Sequence, residues 1–292
     1  MMNVREVAEY LNLKERKIYD LVRRGNIPCS RVTGKLLFPL DLIDRWVVGD
    51  VGGASGLESS SPLPPVVAGS HDPLLEWALR ESACGLALMP GGSLAGLKRL
   101  AAGEAQVCGL HVYDARRDEY NIAAVRETFP ARPVVLIEWA WRNQGLAVAS
   151  GNPLSIGGVS DLREKRPRLA LREPEAGTRL LLDHLLQSAG IGPEHLDLSP
   201  RIARSQMEVG LAVLEGRADA GLCVEAVARQ LRLDFLPLHR ERYDLALHRR
   251  EYFEPPFQRL LAFARGADFR ERASELGGYD IGNLGAVHHN GP

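Results

Sequence analysis

The sequence predicts an α/β body of two lobes preceded by a small, mainly α, winged helix-turn-helix domain. Three observations predict it. The opening segment is basic and carries apolar residues at helical spacing, a Gly/Ser/Pro-rich stretch follows, and in the rest short apolar strands alternate with amphipathic helices. The boundaries read from these shifts are 1–48 for the head, 49–65 for a linker and 66–280 for the body. Within the body the first lobe takes about 66–142 and 240–280, and the second about 146–236.

The head opens with Asn3 and, three residues on, Glu6, a capping-box pattern that starts a helix near Val4. Val4, Val7, Ala8 and Leu11 line one face of that helix. After a break at Asn12 and Leu13, Ile18, Leu21 and Val22 line a second helix ending at Gly25. Two short helices sharing an apolar face make a helix-turn-helix. The residues left to solvent on the second are mostly hydrogen-bond donors suited to phosphates and guanine edges. Ser30-Arg31-Val32 and Leu36-Leu37-Phe38 flank Thr33-Gly34-Lys35 as a hairpin with a basic tip, a wing. Asp41, Leu42, Ile43, Trp46 and Val47 supply a closing helix.

This segment resembles the excisionase or MerR-type winged-helix family, whose pattern runs from VxEVAxxL through IYxLVxxGxIP to a basic hairpin and DLxxWV. The resemblance spans about residues 3–48 and implies contact with double-stranded DNA through Lys14, Arg16, Lys17, Tyr19, Arg23, Arg24, Arg31 and Lys35. Lys14 stands where the family commonly has a small hydroxyl residue, so the second helix starts without that cap. Through Val48 nine Lys or Arg residues oppose six acids. The head is therefore +3 and the remainder −4 in a chain of −1, the asymmetry expected when only the head meets nucleic acid.

At 292 residues and 45% hydrophobic composition the chain can bury a substantial core. It carries no apolar stretch long enough to span a bilayer, and its N-terminus lacks the layout of a signal peptide, so a cytoplasmic location is expected with no membrane partner. Cys29, Cys84, Cys108 and Cys223 are far apart and form no C-x-x-C pair, which reads as reduced thiols rather than a metal site. No cofactor is expected.

In the body, Val66–Ala68 is a strand, Gly69–Asp72 a turn, and Leu74, Leu75, Trp77, Ala78 and Leu79 line a helix. Leu86–Met89 then leads to a helix opening at Ser93, and Ala105–Leu110 ends in His111. Ligands of such sheets bind beyond the carboxyl ends of the strands, so Gly69–Asp72, Gly91–Ser93 and His111–Asp114 should meet in one cleft. PVVLIEWAWRNQGLAVASGNPL reads as two strands separated by Arg142–Gly145. A second α/β unit follows, with a helix opening at Gly177-Thr178, then two more strands between residues 234 and 248 and helices near 256–265 and 268–276. Ser70, Ser93 and Thr178 each sit at an expected helix start, where free N–H groups and the positive end of the helix dipole attract anions. Arg142, Arg172 and Arg179 add charge, and His71 or His111 could donate when protonated.

The body resembles the type 2 periplasmic-binding-protein fold, and in detail its molybdate and tungstate branch. The shared features are the Gly69-Ser70 turn, a GS-x-x-GL segment (Gly92, Ser93, Gly96, Leu97), GEAQV closing on His111, NQGLAVASGNPL, and REPEAGTR. The resemblance covers about residues 65–275. It implies a small oxyanion, molybdate or tungstate, bound by Ser70, His71, Gly92, Ser93, His111, Arg142, Gln144, Gly177, Thr178 and Arg179. The order of parts then describes a one-component transcriptional regulator, a homodimer reading two half-sites. Adjacent Ser70, His71 and Asp72 cannot form a nucleophile, base and orienter chain, and no G-x-S-x-G, H-E-x-x-H or phosphate-loop motif is present, so catalysis is not expected. Two alternatives stay open. The effector may instead be a small organic metabolite, for which His71, His111, Tyr113, Trp139 and Trp141 would have to line the cleft. In the other, the chain is an excisionase-like architectural DNA-binding protein without an effector.

Overall fold

The computed structural model describes residues 1–11, 13–24, 27–32, 35–40, 42–43, 46 and 63–292. The chain divides into two compact units, 1–62 and 63–292. The expected linker at 49–62, the wing tip at Thr33-Gly34, the helix stop at Gly25 and most of the closing helix lie outside the described residues.

In the first unit, α1 (Val4–Tyr10) begins with the expected capping box: the Glu6 N–H donates to Asn3 Oδ1 at 3.0 Å, and the Asn3 N–H to Glu6 Oε2 at 2.8 Å. Helix α2 (Glu15–Arg23) starts at Lys14 with no side-chain cap. Strands β1 (Ser30–Val32) and β2 (Lys35–Leu37) form an antiparallel hairpin. Val7, Ala8, Ile18, Ile27, Phe38 and Ile43 close a small core among these elements. Its size makes each residue count, since burying one such side chain is worth roughly 1.5–3 kcal/mol.

The second unit is built on one ten-stranded mixed sheet. Its first half takes β3 (Val66–Ser70), β4 (Ala87–Gly91) and β5 (Val107–Leu110), which pair in parallel with β3 in the middle. Helices α3 (Pro73–Glu81) and α4 (Ser93–Ala101) connect them. Helix α4 lies directly on the end of β3, because a Cβ at Gly96 would come within 2.4 Å of the Gly69 Cα. The strands β6 (Tyr113–Asp114) and β7 (Glu119–Tyr120) and the helix α5 (Ile122–Thr128) follow, in a stretch that reads only as polar in the sequence.

Two long strands, β8 (Val134–Val148) and β12 (Asp234–His248), each of 15 residues, pair antiparallel and run through both halves. The sequence suggests two strands in each region, split by polar residues. The structure instead keeps each continuous, absorbing the change of direction in register shifts at Pro237/His239 and Tyr243/Asp244. The polar residues survive inside a strand because they are paired across the sheet. The second half adds α6 (Asp161–Glu164), β9 (Arg168–Ala170), α7 (Gly177–Ser188), β10 (Asp197–Leu198), α8 (Gln206–Leu214), β11 (Ala220–Val224) and α9 (Glu225–Gln230). The strand order is β10-β9-β11-β8-β12-β5-β3-β4.

After β12 come α10 (Arg249–Tyr252), α11 (Pro255–Ala264) and α12 (Ala267–Leu276). The chain then returns to β8 through β13 (Tyr279–Asp280) and β14 (Val287–Asn290), two pairings the sequence reading did not anticipate. One apolar cluster, holding Leu74, Leu75, Val209, Val227, Leu260 and Phe269, extends through both halves, while smaller ones fill each half on its own.

Candidate functional site: the gap between the halves of the sheet

The carboxyl ends of the parallel strands of both halves face each other across β8 and β12. From the first half come Ser70, the last residue of β3, and Ser93, the first of α4, whose hydroxyl oxygens lie 2.8 Å apart and are buried. His111, just past β5, donates its backbone N–H to Ser93 Oγ at 3.2 Å. Tyr243, reaching over from β12, donates its hydroxyl to the Ser70 carbonyl at 2.5 Å. From the second half comes the start of α7, with Gly177 and the buried Thr178, and the loop that leads to it from β9.

The two halves touch at glycines. A Cβ at Gly92 would lie 2.9 Å from the Glu175 carbonyl oxygen, and one at Gly177 would lie 2.6 Å from the His111 carbonyl oxygen. Lys98 of α4 and Glu175 are joined by a 2.7 Å ion pair across the same seam. Helix starts α4 and α7 therefore converge. Ser70 does not begin a helix as the sequence suggests: Asp72 is the cap of α3, accepting from the Leu75 N–H at 2.7 Å. An Asp two residues on captured that end because a carboxylate accepts more strongly than a hydroxyl.

Beneath this seam lies a polar network that the sequence reading did not find. Arg142, expected to lend its charge to a ligand, gives each of its nitrogens to a carboxylate. Its Nε donates to Glu241 Oε1 at 2.9 Å, its Nη1 to Asp72 Oδ2 at 2.9 Å, and its Nη2 again to Glu241. Its guanidinium lies 4.3 Å from the Tyr243 ring centroid. Tyr279 donates to Asp72 Oδ2 at 2.7 Å, and Gln144 Nε2 to Glu241 Oε1 at 2.8 Å. Gln206 holds Gln144 in turn, and accepts the Val224 N–H at 2.7 Å. Burial pushes the Glu241 carboxyl up, but Arg142 and His111 outweigh it and bring it down to about 2. Partners 70 and 99 residues apart in sequence gave no local signal for Asp72 or Glu241.

Arg172 is the counter-case. It follows β9 on the loop to α7 and is only 6% exposed, yet its Nε and Nη1 have no hydrogen-bond partner among the described residues. The nearest carboxylate oxygen, on Glu173, is 3.9 Å from Nη2. Burial pulls its pKa down, only partly opposed by Glu173 and Glu208, and its charge is felt at His111. Arg179 turns away to Asp183 at 2.8 Å, though its Nη1 also steadies the Arg172 carbonyl.

His71 donates to or accepts from Glu76 through Nε2 at 2.7 Å, and its Nδ1 is buried without a partner. It lines a pocket of about 550 Å³ between the halves, with Leu79, Leu86, Leu88, Pro90 and Met207. Of the aromatics required by an organic effector, Trp139 is in the core, 5.1 Å from the Phe269 ring centroid. Trp141 stacks with Tyr120 and Arg240, and Tyr113 with His184 and His239.

On the head, Lys14, Arg16, Lys17, Tyr19, Arg23, Arg24 and Lys35 are all exposed. Arg23 and Arg24 share Asp20 on their own helix, at 2.5 and 3.3 Å. The side chain of Arg31 lies outside the described residues. No metal-binding group of His, Cys, Asp or Glu is found among the described residues, and no described helix is long and apolar enough to cross a membrane. Cys84, Cys108 and Cys223 are buried free thiols and Cys29 is exposed.

A helix-turn-helix followed by a two-part α/β sheet whose strand ends enclose a polar gap defines a DNA-binding head joined to a ligand-binding body. The chain belongs to the PBP superfamily, whose domain matches residues 76–265, and residues 1–47 match a helix-turn-helix domain. It is similar to YvgK of Bacillus subtilis (strain 168), an uncharacterized protein, at 26% identity over 97% of this chain and 96% of that protein. It is also similar, at 31% identity over 37% of this chain and 96% of that protein, to an uncharacterized Clostridium pasteurianum protein encoded in a ferredoxin gene 5′ region. Among solved structures, the fold is shared with a putative phosphate transporter substrate-binding protein with bound phosphate from Clostridium perfringens, at 10% identity, 76% of this chain, 99% of that chain and a TM-score of 0.52. The Geobacter sulfurreducens tungstate transporter structure matches at 14% identity, 72% of this chain, 97% of that chain and a TM-score of 0.52. Corynebacterium glutamicum OxyR with bound hydrogen peroxide matches at 14% identity over 94% of this chain and 89% of that chain, with a TM-score of 0.51. The combination of parts fits a ligand-responsive regulator rather than an enzyme.

Proposed function

We propose that the chain is a DNA-binding transcriptional regulator, acting as a homodimer, whose effector is a small oxyanion held between the halves of the body. Molybdate and tungstate are the first candidates. The observation that carries the reading is Arg172, a buried cation with two unspent nitrogens beside the converging starts of α4 and α7. A buried charge without a partner is costly, and such groups are retained where a ligand completes them. The hydroxyls of Ser70, Ser93 and Thr178 and the first N–H groups of α7 supply further donors. Closure on the ligand can reset the DNA-binding form only through a difference in affinity between states; a tenfold preference is worth about 1.4 kcal/mol.

A thermal-shift screen of the full chain against molybdate, tungstate, sulfate, phosphate and an amino-acid panel tests the reading. A true effector at about a hundred times its Kd adds about 2.7 kcal/mol of stability. A second reading, a small organic effector, is favoured by the 550 Å³ pocket and its apolar wall, and a shift with organic compounds alone would select it. No shift with any compound sinks both.

A further inference from the structure

The donors of the gap are joined by one acceptor. His111 is 2% exposed, and its Nδ1 lies 2.7 Å from Glu241 Oε2. Glu241 is ionised, held by Arg142 and Gln144, so it can only accept and the hydrogen between them sits on Nδ1. The groups facing the ring are Glu241 and Tyr243 of β12, Arg142 of β8, Ser93 of α4, and Arg172 on the loop to α7. Burial and the two arginines lower its pKa, against the pull of Glu241. The ring is therefore neutral and Nε2 presents a lone pair. That edge lies at the start of α7, since a Cβ at Gly177 would come within 2.8 Å of Cε1.

A tetrahedral oxyanion without a proton offers only lone pairs. Set against His111 Nε2, lone pair would meet lone pair in a buried site. We propose that His111 is a specificity-determining residue: the occupied gap holds one proton between His111 Nε2 and an oxygen of the anion. This rests on the oxyanion reading above and deepens it. An anion that carries an O–H, such as hydrogen phosphate or a protonated phosphonate, brings that proton with it. Sulfate, molybdate and tungstate do not, and each binds only as His111 takes a proton from water to become a cation.

The test is titration calorimetry of the full-length wild-type protein in buffers of differing ionisation enthalpy, between about pH 7 and about pH 8.5. Tungstate, molybdate or sulfate is expected to bind with uptake of about one proton, its affinity falling about tenfold per pH unit. Phosphate at the upper end of that range is expected to bind with almost no uptake and a nearly flat affinity. In a folded His111→Gln protein, whose amide N–H can face the anion at any pH, the tungstate dependence should flatten. Tungstate or molybdate binding without proton uptake, and with flat affinity in the wild type, overturns the proton between ring and anion while leaving an oxyanion effector standing. If none of these anions binds, both fail together. The wild-type measurement decides the matter even if the variant does not fold.

Discussion

Two buried arginines in the body have opposite fates. Arg142, 1% exposed, sits under the seam with Glu241 and Asp72 on its three nitrogens, whereas Arg172, 6% exposed, keeps Nε and Nη1 unspent. The first arrangement is complete without any ligand. The second is not, and the difference separates charge that holds the fold from charge that awaits a partner. Conserving the guanidinium type says nothing about which is which; only the partner list does.

The strongest way to break the comparison is to remove each guanidinium and read stability. Arg142→Met leaves Glu241 and Asp72 buried without their cation, and should cost about 3–5 kcal/mol. For a body of this size that is on the order of 10 °C in Tm. Thermal unfolding of the ligand-free protein measures it. If Arg142→Met unfolds at the wild-type temperature, the network under the seam is not structural.

The acid limb of stability sharpens the same point. The Glu241 carboxyl is depressed to about 2 in the folded protein, below its usual range near 4.5. Its contribution is therefore full above about pH 4.5 and is lost as pH falls toward 2, at about 3 kcal/mol in all. Glu241→Gln should cost most near neutral pH and least in strong acid. Equilibrium urea unfolding of both proteins from neutral pH downward should show their stabilities converging. Parallel curves would mean that the carboxylate is not held by Arg142 and His111.

Much of this was legible before the structure. The Asn3–Glu6 cap and the uncapped start at Lys14 are local patterns, settled within one helical turn. Gly92, Ser93, His111 and Gly177 fall at strand-to-helix junctions, where the order of elements alone predicts convergence. Three things were not legible. Arg142, Asn143 and Gln144 look like loop residues, yet they continue β8, because Arg142 and Gln144 find Glu241 on the neighbouring strand. Asn143 likewise finds Glu225. The cap moved from Ser70 to Asp72, and Tyr279 arrived from beyond the expected end of the body to bond it. Local letters set a residue's preferences, but long-range pairs decide whether its polar atoms are spent.

Arg172→Met is the counterpart of Arg142→Met with the sign reversed. Ligand-free stability should stay level or rise by about 1 kcal/mol, since an uncompensated buried charge is gone. Oxyanion affinity should fall by about 10- to 150-fold, the worth of a charged hydrogen bond at about 1.5–3 kcal/mol. Thermal shifts with and without tungstate or phosphate give both numbers from one preparation. A variant that loses stability and keeps its ligand response would assign Arg172 to the fold and return it to the class of Arg142.

The smallest effect concerns charge that was never buried. Lys17 is exposed on α2 of the head, where a cation is cheap to keep and contributes little to folding. Its proposed use is a phosphate contact, which acts by releasing counterions and so carries no sequence information. Lys17→Ala should therefore weaken binding to specific and unrelated duplexes alike, and lower the slope of log affinity against log salt by about 0.9. Stability and the body's response to oxyanion should be unchanged, because neither depends on an exposed head residue. Fluorescence anisotropy over a salt series reads the slope directly. A loss confined to one duplex sequence would move Lys17 from the backbone to a base edge, and an unchanged slope would take α2 away from the DNA altogether.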